Sequence, residues 1–362
     1  MKKIKAIFLV AAMLFALSAC GTQGTEAQSE TIAQSIIEEQ KSQIPAKDTE
    51  WNEQAAEQSE AQAEASAEPI TIRVGVPKSP PTLPILYMME KQTLGENVTI
   101  ELDIWDAPEQ LIAMVQDGKH DMYAFPLTVV AKLFNKGLDV RLMNVNTWGV
   151  TYFVTTDENL TSWEQLKGKT VYIPLQSSPP DALTQFFLNE AGLAVGKDVE
   201  LVYGSTAEIG QMMAAGRIEY ATLIEPQVTS AKINNEKVRV AFSFEEEWKK
   251  AAGDSSIVPN AGFGTTQKFI DANPELAAQF NAAYEEALNW VVENPDEAAA
   301  LAEIHLGLKA KVVEKAIPNM GLLFKNGVNA KEELDGYYQL LVDFEPTMIG
   351  GKVPDETMYY AE

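Results

Sequence analysis

The chain is poor in the residues from which reactive sites are usually built. Among its 362 residues there is one cysteine, Cys20, and there are two histidines, His120 and His305. A disulfide within the chain is therefore excluded, as is a metal site built on several thiolates, and histidine-based catalytic or zinc constellations have little to draw on. Positive charge is also scarce. Lys and Arg total 28 against 52 Asp and Glu, giving a formal net charge of −24, and the arginines number four: Arg73, Arg141, Arg217 and Arg239. Nucleic-acid binding draws its affinity from basic side chains on phosphates, and adsorption to anionic lipid needs a basic face, so the charge balance argues against both. The longest apolar run, Ala6 to Leu17, is twelve residues, short of the ~20 that a membrane-spanning helix requires. What is present is an ordinary globular composition, 46% hydrophobic and 22% charged, with enough length for two domains that each own a core.

That apolar run follows Lys2, Lys3 and Lys5 and ends in Leu17-Ser18-Ala19-Cys20. A basic start, a short apolar stretch and small residues make a secretory signal, and the ending resembles a bacterial lipobox, in which the cysteine is lipidated. Residues 1–19 therefore read as a lipoprotein signal peptide and Cys20 as the lipidation site, which accounts for the chain's one thiol. Residues 20–68 read as a disordered acidic tether. From Gly21 to Glu68 eleven acids stand against Lys41 and Lys47, and Ile32, Ile36, Ile37, Ile44 and Trp51 form no sustained stripe. Such a segment cannot bury enough apolar surface to offset its ordering entropy, and its self-repulsion extends it. The expected location is extracytoplasmic, lipid-anchored to the bacterial cell membrane by more than one acyl chain.

From Pro69 onward short strands alternate with helices. Strands are expected over 70–76, 98–105, 121–125, 140–145, 152–156, 170–173, 200–202, 220–223, 238–242 and 263–265, and the region beyond Phe269 reads as helical. Helix starts are legible in the capping boxes Thr161-Ser-Trp-Glu164 and Ser205-Thr-Ala-Glu208, and in Asn273-Pro274 and Asn294-Pro295, where proline stands at the first helical position. This alternation predicts an α/β fold with parallel sheets built from crossover units. The strands fall into two similar sets, with one lobe over 70–147 and 244–362, the other over 148–243, and a ligand cleft between them at the carboxyl ends of the strands.

Several segments carry a more specific likeness. Ile72-Arg-Val-Gly-Val-Pro77 with Leu83-Pro-Ile-Leu86, and Ala107-Pro-Glu-Gln-Leu-Ile-Ala-Met-Val-Gln-Asp-Gly118 with His120-Asp-Met-Tyr-Ala124, resemble the nitrate/sulfonate/taurine group of solute-binding proteins, which includes thiamine-pyrimidine binders. So do Ser162-Trp-Glu-Gln-Leu-Lys-Gly-Lys-Thr-Val171, Met213-Ala-Ala-Gly-Arg-Ile-Glu-Tyr-Ala221, Glu225-Pro226 and Phe269-Ile-Asp-Ala-Asn-Pro274. The resemblance covers about 70–310. It implies a two-lobed type II periplasmic-binding-protein fold, a small-molecule ligand, ABC permease and ATPase subunits as partners, no cofactor and no catalysis.

In such a fold the pocket is lined by loops at strand ends. The candidate ligand-binding residues are Ser79, Thr82, Trp105, Phe125, Thr128, Trp148, Ser177, Ser178, Asp181, Glu225 and Asn260. Trp105, Phe125 and Trp148 are candidate stacking surfaces, though each is also of the type that packs into a core. A helix start after Gln176-Ser-Ser178 would suit an anion, but Pro179 and Pro180 remove two amide donors and Asp181 adds a negative charge to the first turn. Ser178 is otherwise read as a helix cap. Because no arginine falls in an expected pocket loop, the ligand is expected to be a neutral or cationic nitrogen heterocycle such as a thiamine-type pyrimidine. A small sulfonate, taurine or nitrate-type anion is the alternative. An enzyme of the same fold is disfavoured: the cysteine-rich motif of the related pyrimidine synthase is absent, and His120 and His305 lie far apart in sequence. A tethered receptor without transport remains the third alternative.

Overall fold

The computed structural model describes residues 69–253 and 257–361. The expected signal peptide, Cys20 and the tether lie outside these residues. The described chain carries two mixed β-sheets with helices packed on them. The first sheet has strand order β11-β4-β10-β3-β1-β2, formed by Ile70–Val76 (β1), Val98–Ile104 (β2), Met122–Pro126 (β3), Arg141–Trp148 (β4), Pro259–Thr265 (β10) and Leu322–Asn326 (β11). The second has order β7-β6-β8-β5-β9, formed by Thr151–Thr155 (β5), Thr170–Pro174 (β6), Glu200–Gly204 (β7), Tyr220–Ile224 (β8) and Arg239–Ser243 (β9).

The burial of each strand follows its place. β3, MYAFP, is buried at all five positions and lies between β1 and β10, whereas β2, VTIELDI, sits at the edge and alternates. A strand covered on both faces tolerates an unbroken apolar run, and an edge strand with one wet face needs polar residues at every second position.

The sequence pattern predicted parallel sheets, and the sheets are mixed instead. β1, β2 and β3 run parallel, as do β6, β7 and β8, but β10 is antiparallel to β3 and β4, and β5 is antiparallel to β8 and β9. The reason is the two crossings. The chain leaves the first sheet at the end of β4, enters the second as β5 after Gly149 and Val150, and returns as β10. A strand that crosses from the other sheet enters without a βαβ unit, so the handedness argument for parallel pairing does not apply to it. The crossings are tied together: the Gly149 amide donates to Val258 O at 2.9 Å, and the Val258 amide donates to a Glu245 carboxylate oxygen at 2.9 Å.

The helices that matter for the site are Leu127–Asn135 (α3), Pro179–Glu190 (α4), Thr206–Ala214 (α5), Gln227–Asn234 (α6) and Phe244–Ala252 (α7), preceded by Thr82–Lys91 (α1) and Pro108–Asp117 (α2). The C-terminal third is helical as expected, with Gln267–Ala272 (α8), Pro274–Glu293 (α9), Pro295–Leu306 (α10), Ala310–Ala316 (α11) and Lys331–Phe344 (α12), broken by β11, which the pattern did not reveal. Behind the second sheet an aromatic cluster joins Phe153, Trp163, Phe187, Phe242 and Phe244. Trp248 of α7 meets Tyr337 of α12 at 5.6 Å between ring centres, edge to face. Such pairs add to area burial by about 0.5–1.5 kcal/mol each. Among the described residues no helix is long and apolar enough to cross a membrane.

Candidate functional site

Both sets of parallel strands end at the same place. The carboxyl ends of β1, β2 and β3 present Pro77, Ser79, Trp105 and Pro126, with Phe125 on β3 itself. The ends of β6 and β8 present Leu175, Ser178, Pro179, Pro180 and Ile224. Asn260 and Ala261 enter from β10, and together these residues line a cavity of about 30 Å3. An adjoining recess of about 80 Å3 is bordered by Pro77, Ser79, Trp105, Leu175 and Ile224 as well, and adds Lys78, Asp106, Ser205, Thr206, Gln227 and Leu308. Free space of this order holds no more than a few water molecules, so the walls must part to admit a small organic molecule.

The first wall is apolar and rigidly carried. Trp105 follows β2, its amide donating to Val76 O at 3.0 Å, and is 2% exposed. Phe125 is fully buried on the central strand β3 and lies against β10 so closely that a Cβ on Gly264 would come within 2.9 Å of its ring. The indole Nε1 of Trp105 has no hydrogen-bond partner. Burying an N–H unpaired is unfavourable by about 1–3 kcal/mol, so an orphan beside a cavity points to something that would fill it.

The second wall is a turn, Leu175 to Ser178, between β6 and α4. Leu175 (φ 55°) and Ser177 (φ 64°) both occupy the left-handed region that disfavours side chains. Ser178 is the N-cap of α4, yet its hydroxyl caps nothing and has no partner. An N-cap hydroxyl usually accepts from the second or third helical amide. The second is Pro180, which has none, and the bond to the third is not formed.

Of the residues expected from sequence, Ser79, Trp105, Phe125, Ser178 and Asn260 line the cavity. The other six do not line it. The Thr82 hydroxyl donates to Pro77 O. Thr128, at the start of α3, donates its hydroxyl to Ser177 O at 2.9 Å and so joins the two walls. Asp181 is 2% exposed and accepts from the Ser177 amide (2.7 Å), Gln185 Nε2 (2.7 Å) and the Tyr203 hydroxyl (3.0 Å). Burial pushes its carboxyl above the ordinary range, against the pull of those bonds. Glu225 likewise turns inward, accepting from the amide and hydroxyl of Thr229, and burial raises its pKa too. Trp148 is placed in β4; its Nε1 donates to Leu323 O at 2.8 Å, and it lines neither cavity nor recess. Asn260, besides lining the cavity, donates to the Thr151 hydroxyl at 2.9 Å.

No arginine lines the cavity or the recess. Arg73 pairs with Glu101, Arg141 binds Gln267, and Arg239 holds the carbonyls of Asp157 and Leu160. His120 lies 2.9 Å from Asp103, away from both spaces. No group of three or more His, Cys, Asp or Glu side chains that could hold a metal ion is found among the described residues. The start of α5 escaped the sequence reading of the site. Its signal was available in the Ser205-Thr-Ala-Glu208 capping box directly after β7, which is a strand end like the others.

A family model described as NMT1/THI5 like matches residues 95–298, more than half of the chain. YtlA of Bacillus subtilis (strain 168), provisionally named a binding protein, is 32% identical over 216 residues, 57% of this chain; the matched stretch spans 61% of YtlA, less than two thirds of its length. An ABC transporter structure from Parabacteroides distasonis superposes with a TM-score of 0.67 at 20% identity, covering 82% of this chain and 100% of that one. The alkanesulfonate-binding protein SsuA from Xanthomonas axonopodis pv. citri, bound to MOPS, gives a TM-score of 0.64 at 16% identity, covering 81% and 98%. At such identities the likeness is one of fold, and the fold is the α/β architecture of periplasmic binding proteins.

Proposed function

The chain belongs to the NMT1/THI5-like family, and from that premise we propose that it is the extracytoplasmic solute-binding component of an ABC importer, tethered to the membrane by a lipidated Cys20. The observation that carries the reading is the cavity where both parallel strand sets end, with two buried polar atoms beside it, Trp105 Nε1 and Ser178 Oγ, that have no partner. Such a site supplies shape and hydrogen-bonding capacity, and we read the chain as capturing its ligand and leaving it unchanged. We read the two sheets as the two lobes. They close on the ligand about the crossings at Gly149 and Val258, and the closed form hands its cargo to permease and ATPase subunits. The Thr128–Ser177 bond joins the two walls, and the ligand drives closure through contacts that it makes only when the lobes are closed.

The ligand is a neutral or cationic, partly aromatic nitrogen heterocycle such as a thiamine-type pyrimidine. Trp105 and Phe125 offer apolar ring faces, Trp105 Nε1 a donor, and Ser178 Oγ a group that can donate or accept. An anion finds little at α4, where two prolines replace amides and Asp181 already takes the Ser177 amide. A small sulfonate is the second reading, favoured by Lys78 and the start of α5 in the adjoining recess. Thermal-shift screening separates them. Stabilisation by the hydroxymethyl aminopyrimidine half of thiamine, and none by taurine or alkanesulfonates, is expected; the reverse pattern overturns the ligand assignment. Anchoring is tested by Cys20→Ser, which is expected to release the protein from membranes.

A further inference from the structure

The cluster behind the Leu175–Ser178 turn does more than fill space. Asp181 borders neither the cavity nor the recess, yet its carboxylate is nearly inaccessible and its two oxygens hold three donors from separate places: the Ser177 amide of the turn, Gln185 one turn along α4, and Tyr203 from β7. We infer that Asp181 is a positioning residue for the binding site, fixing the strained turn so that the Ser178 hydroxyl is left free to bind the ligand. This rests on the reading of the cavity as a solute site.

A left-handed serine is disfavoured, and relaxation of Ser177 toward negative φ would rotate the peptide that leads to Ser178. The charge-assisted bond from the Ser177 amide to Asp181, at 2.7 Å, opposes that relaxation. The carboxylate is fixed in turn, because Gln185 Nε2 and the Tyr203 hydroxyl both converge on its other oxygen. On the cavity side the same turn is held by Thr128 at Ser177 O and by the Ser178 amide, which donates to Leu175 O at 3.0 Å. The proline pair completes the arrangement. With no amide at Pro179 or Pro180, the Ser178 hydroxyl is spared its ordinary capping role. A serine hydroxyl that is buried, borders a cavity and bonds nothing is thus a product of its neighbours, with Asp181 holding the geometry.

The test is a double-mutant cycle read by titration calorimetry with the hydroxymethyl aminopyrimidine half of thiamine. Ser178→Ala alone is expected to weaken binding about fivefold, the size of one neutral hydrogen bond. Asp181→Asn cannot accept at both oxygens, and is expected to give a similar loss while the protein stays folded by circular dichroism. The double variant is expected to bind like either single one, because Asp181 acts through a hydroxyl that is already gone. A merely structural role gives independent losses that multiply to about 25-fold, and that result overturns the inference. Tyr203→Phe leaves the carboxylate intact and loosens only its support. It is expected to lower affinity by a smaller factor, again only when Ser178 is present, so the cycle holds even if Asp181→Asn does not fold. A wild-type protein that does not bind the pyrimidine overturns the proposed ligand, and with it the role given to the Ser178 hydroxyl. Binding by the wild type with multiplying losses overturns the positioning role alone.

Discussion

The two walls of the cavity are built on opposite plans. One is carried by the ends of regular strands: Trp105 is fixed by a backbone bond to β1, and Phe125 belongs to a strand buried at every position. The other is a turn with two side-chain-bearing residues at positive φ, two successive prolines and a buried carboxylate behind it. The first wall owes its shape to packing. The second owes its shape to hydrogen bonds that oppose local strain. Packing is insensitive to the charge of what it touches, whereas a polar turn distinguishes ligands by what they donate and accept. For the proposed ligand, the rigid wall sets what fits and the strained wall sets what is preferred.

The largest effect is expected at Trp105. Trp105→Ala removes a large side chain that is 2% exposed, and a substitution of that kind destabilises by about 3–5 kcal/mol. Denaturant unfolding is expected to show that loss together with a fall in ligand affinity of ~30-fold or more, the behaviour of a central aromatic anchor. Trp105→Phe keeps an aromatic ring but removes three side-chain atoms together with the orphaned N–H. It is expected to bind about fivefold more weakly, with an unfolding midpoint between those of Trp105→Ala and the wild type. Equal affinity for Trp105→Phe and wild type would show that the indole N–H meets nothing in the complex.

The bond between the walls comes next. Thr128→Val is close in shape and removes the donor to Ser177 O. A net effect of about 1 kcal/mol on the closed state is expected. It should appear as faster ligand release with little change in association, since related complexes differ chiefly in dissociation. Small-angle scattering of the saturated wild type is expected to give a smaller radius of gyration than the ligand-free protein. No difference between those two states would contradict hinge closure.

How much of this was legible in the sequence depends on the range of the interaction. β1 to β9 were found to within a few residues because alternation and flanking turns are local signals. β10 was expected only from Phe263, because Pro259, Asn260 and Gly262 have poor strand propensity. The structure pairs Pro259 and Gly262 with β4 through register shifts, and Gly262 with β3 as well; Gly262 passes so close to β4 that a Cβ would lie 2.0 Å from Asn144 O. β11 was missed altogether, and Trp148 was expected as a stacking surface without it. The indole N–H goes to Leu323 O in β11, and Lys325 of that strand lies 5.2 Å over the ring. A residue's direction cannot be read before its pairing partner is known. Asp181 was legible as a first-turn acid, but its partner Tyr203 lies in β7, across α4 and the loop that follows it.

The smallest expected effect separates the walls by pH. In the unfolded chain Asp181 titrates near the ordinary value of about 4. In the folded protein burial raises its pKa, outweighing the bonds from Ser177, Gln185 and Tyr203. The folded state therefore holds this proton more tightly than the unfolded one. The stability contributed by protonation is fully present below the unfolded value and is lost as pH climbs through the raised one. Glu225 has the same sign, through burial near Thr229, while the first wall, Trp105 and Phe125, contributes nothing that titrates. Urea midpoints taken at closely spaced pH values above about 4 are thus expected to fall less steeply for Asp181→Asn than for the wild type, and to fall with the wild-type slope for Trp105→Phe. If Asp181→Asn and the wild type instead lose stability in parallel over that window, the carboxylate titrates alike in both states. The strained wall would then owe its shape to the turn itself.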